Sequence, residues 1–458
     1  MRVYFARQYL RHGTATVTYA PTIRASLPVL CLALLAGCRE AADEELVIIS
    51  PHSPEIRAEF SRGFEEWSRR QTGRAVGVRW LDVGGTGESI EYIRSRNAEN
   101  REGGGVDVFF GGGNFPFVLL KKQDLLARHA VPDSILASIP RRLHGMDVYQ
   151  DDSLWYGAAL SGFGILCNKE IARRNDLPLP GTWADLASRE CVGWVSSADP
   201  RYSGSMHAMY EILLQAYGWE RGWDIITRMG GNIQSFTKGA SNAAKEVSTG
   251  QAAFGLAIDF YAFIEIQRYG GDRLSFVLPQ GESVINADGI AVLRNAPSPA
   301  LAASFVNYVL SEGQKLWILR PGVSGGPTRY ALCRFPVDST LYDLPAADLT
   351  VTENPYASAP SLEYDGRLAG GRWSILGDLI AAFVITPHQE LRRCWAEAVR
   401  RGLTPAQYRR YLAMELSEQE VSALADKWNS REFAHERIRL MNQWTGWAER
   451  RYRGIFRK

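Results

Sequence analysis

Excess charge of either sign is the first thing this chain lacks. Over 458 residues, 52 Lys and Arg face 50 Asp and Glu, a net of +2. Such a balance carries no electrostatic footprint for nucleic acid. Cysteine is scarce: six residues, none in CxxC spacing. That leaves out a zinc ribbon, a thioredoxin-type redox pair and a disulfide-dense scaffold. No apolar run approaches the ~18 residues of a spanning helix; the longest is Leu27–Ala36. Neither GxxxxGKS/T nor HExxH occurs, and GxGxxG fails after Gly85 and Gly87 because position 90 is Ile. P-loop, zincin and dinucleotide chemistry therefore have no support. Gly322-Val323-Ser324-Gly325-Gly326 spells G-x-S-x-G, but Pro327 follows and a helical pattern precedes. A nucleophile elbow needs a strand before and a helix after. With no nucleophile–base pair, the chain reads as a non-enzyme.

What is present is an ordinary globular composition, 46% hydrophobic and 22% charged. It is long enough for two or three domains. Residues 1–37 carry Arg2, Arg7, Arg11, Arg24 and no acid, then an apolar stretch ending Leu35-Ala36-Gly37-Cys38. A basic region, a short apolar core and small residues describe a secretory signal. The final tetrapeptide resembles a bacterial lipobox, in which the Cys is lipidated. On this reading residues 1–37 are removed, and lipidated Cys38 holds the protein on a membrane without a spanning helix. Residues 38–45 form a short tether. The mature chain then has 48 basic and 50 acidic residues, a net of −2. Of its other cysteines, Cys333 and Cys394 are the preferred pair, with buried free thiols nearly as acceptable.

The mature chain alternates strand and helix. Leu46–Ile49 reads as a buried strand. Ser53-Pro54-Glu55 opens a helix, with Ser as cap and Pro in the first turn. Val76–Leu81 is a second strand, and Gly84–Ser89 leads into a second helix. Val106–Phe110 is a third strand, followed by a run of glycines. This is the grammar of a parallel α/β sheet. An apolar, Gly-spotted stretch at 156–167 suggests a crossing into a second domain. The pattern restarts at Val192–Ser196 and continues through helices after Ser203 and Ser241. A second crossing is expected near Leu274–Pro279, with Ile285–Leu293 rejoining the first domain.

Several strand-to-helix turns are rich in Gly, Ser and Thr: Ser53, the Thr86-Gly87-Glu88-Ser89 turn, and Ser203-Gly204-Ser205. Helix N-termini present free backbone N–H groups that stabilise anions. In open α/β sheets, ligands bind beyond the carboxyl ends of the strands. Each turn alone is explained by capping. Their recurrence at one topological point favours a shared cleft, and His52 sits in one of these loops.

At this point the chain resembles the solute-binding proteins of bacterial ABC importers, specifically the ferric-iron-binding-like, two-lobed periplasmic binding proteins. The resemblance rests on Ile48-Ile49-Ser50-Pro51-His52-Ser53, Gly84-Gly85-Thr86-Gly87-Glu88, Val106-Asp107-Val108-Phe109 and Leu179–Leu186. It continues in Ala198–Ser205, Gly250-Gln251-Ala252-Ala253 and Asn286–Ala291, all in order over about 45–330. It implies a type II two-lobe α/β fold. The first lobe would hold residues 46–155 and 281–390, the second 156–280, with a helical basic extension over 391–458. It also implies a monomeric periplasmic protein that closes on a small solute and hands it to an inner-membrane ABC permease.

In the iron-binding relatives, ferric ion is held by a His, an acid and two adjacent tyrosines, and a synergistic anion sits on a Ser-Gly helix N-terminus near an Asn. By that resemblance His52 and Tyr261 match metal ligands. Ser203, Gly204, Ser205 and Asn232 match the anion site. Asp259 is a possible substitute ligand, and Ser161 in the first crossing joins the binding set. The acid's position falls near Gly112, however, and the second tyrosine is Phe260. Losing two hard oxygen ligands weakens the ferric scheme. The preferred solute is a small phosphorylated or carboxylated anion, with ferric iron as the alternative and no resident cofactor. The stretch 391–458 carries 15 basic and 8 acidic residues. It reads as helices wrapping the body with a solvated basic face, or as a contact for anionic lipid or a membrane partner.

Overall fold

The first strand, β1 (Glu44–Ile49), is buried from Leu46 onward and pairs in parallel with β2 (Val76–Leu81) and β3 (Val108–Phe110). A computed structural model of the chain describes residues 44–98, 105–357 and 362–456. The expected signal, Cys38 and most of the expected tether lie outside them. Helices α1 (Pro54–Thr72), α2 (Thr86–Ala98) and α3 (Phe115–Lys122) follow the three strands in turn. Pro54 opens α1 as expected, while the Ser53 hydroxyl makes no capping bond. Beyond α3 lie a short helix α4 (Asp133–Leu136) and a small ribbon, β4 (Arg142–Leu143) with β5 (Met146–Asp147).

The 13-residue strand β6 (Tyr156–Asn168) is buried throughout and serves two bodies. Its first half pairs with β11 (Ile285–Val292), which in turn pairs with β3. Its second half pairs with β9 (Phe254–Ile258) and β10 (Leu274–Val277). Between them come α5 (Lys169–Arg174), β7 (Val195–Ala198), α6 (Gly204–Tyr217), α7 (Trp219–Asn232), β8 (Ile233–Thr237), α8 (Ala240–Ser248) and α9 (Asp259–Tyr269). The strands run β2-β1-β3-β11-β6-β9-β7-β8. The apolar 156–167 stretch is therefore a strand shared by both lobes, and the link from β10 to β11 is the second crossing.

Two separate cores result. The first gathers Ile48, Phe60, Phe110, Phe305 and Trp317; α10 (Pro299–Leu310) and α11 (Gln314–Ile318) close it. The second gathers Ile165, Met206, Trp223, Leu256 and Trp395.

Three expectations need correction. From about 340 to 390 the sequence shows no regular period and reads as irregular, yet Gly366–Ile380 forms helix α12 and runs into a π-helical turn at Ala381–Ile385. Its glycines at 366, 370, 371 and 377 hide the helical period. Nor does this stretch belong to the first lobe: Ile375, Leu376, Leu379 and Ile380 lie in the second core. The chain thus makes a third passage between lobes, from Val351 in the first core to Leu362 packed on the second. Residues 366–385 are long and apolar enough to cross a membrane, yet most of that stretch is buried in the protein. Finally, Cys167, Cys191, Cys333 and Cys394 are all free and buried. Cys333 lies in the first core and Cys394 in the second, so the preferred pair is not formed.

The basic stretch is helical: α13 (His388–Arg401), α14 (Pro405–Leu412), α15 (Glu418–Ala425) and α16 (Ala434–Gly454). Its tryptophans turn inward. Trp395, Trp428 and Trp444 join the second core, and the rings of Trp428 and Trp444 stack at 5.4 Å. Arg372 of α12, 2% exposed, pairs with Glu211 at 2.8 Å and also with Glu418, fastening α15 to α6.

Candidate functional site

Parallel strands of both lobes deliver the turns that follow them to the same place. After β1 come Pro51-His52-Ser53; after β2, Gly85-Thr86; after β3, Gly112–Phe115. From the second lobe come Tyr202–Ser205 before α6, Gly239–Ser241 before α8, and Phe260-Tyr261 at the start of α9. Together they line one cleft with about 220 Å³ of free space. Parallel strands place their carboxyl ends, and so the following helix N-termini, on one edge of each sheet. Amide donors of α1, α2, α6 and α8 consequently face a common hollow.

The lobes touch across this hollow. A Cβ on Gly204 would lie 3.0 Å from the Thr86 hydroxyl, and one on Gly85 would lie 3.0 Å from the Tyr202 carbonyl oxygen. A side chain at either glycine would push its neighbour back by a few tenths of an ångström. Gly111 is tighter still, within the first lobe: its φ is +95°, and a Cβ there would sit 2.6 Å from the His52 ring.

At the floor lies a buried polar group. Arg334 Nη2 donates to Asp288 at 2.5 Å and to Ser161 Oγ at 2.9 Å. Asp288 also accepts the Gly113 amide at 2.6 Å. His52 Nε2 lies 3.1 Å from Asp288 Oδ2 and 2.9 Å from Arg334 Nη1. The guanidinium is flanked by the rings of Phe260 at 4.5 Å and Trp317 at 5.1 Å. Burial pushes the Asp288 carboxyl up, but Arg334, His52 and the Gly113 amide outweigh it and hold it well below the usual carboxylate range. Burial, with a smaller push from Arg334, lowers the His52 ring against the pull of Asp288. His52 Nδ1 and Arg334 Nε are buried without a hydrogen-bond partner.

Of the residues anticipated from sequence, His52, Ser53, Thr86, Ser161, Ser203, Gly204, Ser205 and Tyr261 meet in this cleft. Ser203 caps α6 by accepting the Met206 amide at 3.4 Å, and its hydroxyl lies 3.2 Å from that of Ser205. Burial raises the Tyr261 hydroxyl above its ordinary value, which keeps it protonated.

Four anticipated residues do not line it. Asn232 is fully buried beneath α13, donating to the Leu186 and Ser188 carbonyls and accepting from the Trp395 indole. Asp259 turns away and accepts the amides of Gly162 at 2.6 Å and Phe260 at 2.7 Å; burial pushes it up to about 7. The Ser89 hydroxyl donates to the Gly85 carbonyl. Gly87 faces a neighbouring hollow that also touches α12 and α16. Among the described residues no cluster of three or more His, Cys, Asp or Glu is gathered as a metal site.

Sequence reasoning missed Arg334, Asp288, Asn286 and the C-terminal contributors Tyr364 and Trp373. Asn286 and Asp288 were visible within a familial motif, and the alternation of β11 puts both on one face. Arg334 offered no signal, since it follows β11 in a stretch without periodicity.

This architecture, with two α/β lobes and helix N-termini meeting at a cleft, is that of the type II periplasmic binding proteins. Residues 116–317 match the family model described as bacterial extracellular solute-binding protein. It is 27% identical over 284 residues to the phosphoglycerate transport regulatory protein PgtC of Salmonella typhimurium, covering 61% of this chain and 65% of the relative, just under two thirds of its length. Among solved structures it resembles the periplasmic binding protein AfuA of Actinobacillus pleuropneumoniae with fructose-6-phosphate bound. That likeness has a TM-score of 0.57 and 17% identity, over 78% of this chain and 99% of the other. Iron-bound HitA of Pseudomonas aeruginosa gives a TM-score of 0.54 and 17% identity, over 77% and 99%. The matched family and AfuA are both described as binding proteins.

Proposed function

We propose that this protein is the solute receptor of a bacterial ABC importer, periplasmic, monomeric and held at a membrane by lipidated Cys38. It captures a small phosphorylated or carboxylated solute by lobe closure and presents it to a permease. The observation that carries the solute class is the meeting of the N-termini of α1, α2, α6 and α8, with the hydroxyls of Thr86, Ser203 and Ser205, around one cleft. Such a cradle stabilises an anion through backbone donors contributed by both lobes. An anion that bridges both sets favours the closed arrangement, because it makes the full set of contacts only there. The phosphoglycerate and fructose-6-phosphate named for two relatives belong to this chemical class.

A ferric reading has narrower support. His52 and Tyr261 line the same cleft, but Gly112 and Phe260 occupy the places where the iron-binding relatives carry an acid and a second tyrosine. Calorimetric titration of the full mature chain with 3-phosphoglycerate, fructose 6-phosphate, inorganic phosphate and ferric citrate tests the assignment. Saturable binding of a phosphorylated compound is expected. Binding of ferric citrate alone would replace the anion reading with the iron one.

A further inference from the structure

We propose that Trp373 of α12 is a clasp that holds the two lobes together, so that the C-terminal part of the chain belongs to the solute-capturing machinery. The inference rests on the reading of lobe closure above. The indole is placed between the lobes. One face stacks on Phe115, ring centroids 4.2 Å apart and planes inclined by 20°. The other lies on His207, centroids 3.9 Å apart at 35°.

These partners move with different bodies. Phe115 begins α3, whose Phe117 and Leu120 are in the first core. His207 belongs to α6 and is 4% exposed, beside Met206 and Met209 of the second core. Trp373 itself rides with the second lobe, because Ile375, Leu376 and Leu379 of α12 are buried there. Gly370, one turn earlier, brings α12 close: a Cβ there would be 3.2 Å from the Phe115 ring. Trp373 and Tyr364 also line the cleft, so the same segment walls the hollow and pins its edge.

A rotation about β6 and the β10–β11 link that opens the cleft separates Phe115 from Trp373. It also parts Gly85 from Tyr202 and Thr86 from Gly204. Of these contacts, the stack joins two aromatic side chains, whereas the others bring a glycine against a backbone carbonyl or a hydroxyl. It therefore favours the closed form before any solute arrives, and the solute has correspondingly less of the closure to supply. Trp373 is a positioning residue: it acts on the solute through the relation of the lobes.

The experiment uses the full mature chain with one fluorophore on each lobe, at Lys122→Cys and Arg221→Cys, and reads interlobe distance by single-molecule energy transfer without solute. Trp373→Ala is expected to raise the open population roughly 3- to 10-fold, the span an aromatic pair supplies. Phe115→Ala should do the same, and the double variant should open little further. Trp373→Phe should retain the wild-type distribution. With fructose 6-phosphate as probe, dissociation from Trp373→Ala should quicken by a similar factor. Ser205→Ala should weaken the probe while leaving the solute-free distribution alone. Should Trp373→Ala fail to fold, Phe115→Ala carries the same test from the first lobe. Unchanged distributions in these alanine variants would overturn the clasp. Failure of the wild type to bind any phosphorylated probe would instead overturn the solute reading, with the solute-free distances still judging Trp373.

Discussion

Arg334 and Asp288 meet at 2.5 Å on the floor of the cleft, exposed by 2% and 5%. Their strands and loops come from distant parts of the chain, yet both residues also hold the shared strand β6 and the glycine turn after β3: Arg334 through Ser161, Asp288 through Gly113. The pair fixes the floor on which the solute turns are set.

Breaking that pair should be costly. Arg334→Met leaves a buried carboxylate without its cation, and stability is expected to fall by about 3–5 kcal/mol. Arg334→Met with Asp288→Asn should recover part of the loss, because no uncompensated charge remains. Urea denaturation of the two variants reads both; Arg334→Met as stable as wild type would refute the role of the pair.

Solute affinity should depend on the α6 turn. Ser203→Ala with Ser205→Ala removes two hydroxyls from the cradle and should weaken a phosphorylated solute by about 1–3 kcal/mol, with little change in thermal stability. Calorimetry checks the affinity and a melting curve the fold. Equal affinity in the double variant would place the anion elsewhere.

His207 should give an acid-sensitive term. Burial, with Arg372 adding to it, lowers its pKa to about 3, from an ordinary value near 6.5. The unfolded chain therefore binds a proton that the folded chain refuses between those values, and stability declines as pH falls from about 6.5 toward 3. The limiting slope is about 1.4 kcal/mol per pH unit for one group. His207→Phe keeps a ring against Trp373 and should flatten that slope in denaturation series at pH 4, 5, 6 and 7. An identical slope would show that other groups dominate.

Ferric loading offers a colour test. Burial holds the Tyr261 hydroxyl in its protonated form, and only a bound metal would ionise it. A tyrosinate charge-transfer band that appears with ferric citrate and vanishes in Tyr261→Phe would favour iron. A colourless protein is expected.

Membrane attachment should depend on a single residue. Expressed with its first 37 residues, the wild-type protein should partition with membranes and Cys38→Ser should be found in the soluble fraction. Fractionation followed by mass spectrometry of the N-terminus reads both; equal partitioning would remove the anchor.

Much of the fold could be read from local pattern. The runs 46–49, 76–81 and 285–293 announced β1, β2 and β11, since continuous apolar stretches bounded by turn residues suit buried strands. Pro54 marked a helix start, for its ring suits the first turn. The Gly- and Ser-rich turns named His52, Thr86 and Ser203–Ser205, because parallel strand order alone sends such turns to one edge.

What pattern could not supply was which distant residues meet. Asn232 and Asp259 carry the right chemistry, yet one bonds beneath Trp395 and the other bonds backbone amides, and only packing direction decides that. Arg334 reached the cleft floor from a stretch without periodicity, placed by its bonds to Ser161 and Asp288. Helix α12 was hidden by its glycines, which lower helical propensity but allow close approach to Phe115. Sequence determined the elements and the edge they serve, because those follow from short-range sterics and burial. The tertiary structure alone decided the charge pair and the clasp, because each joins side chains from widely separated parts of the chain.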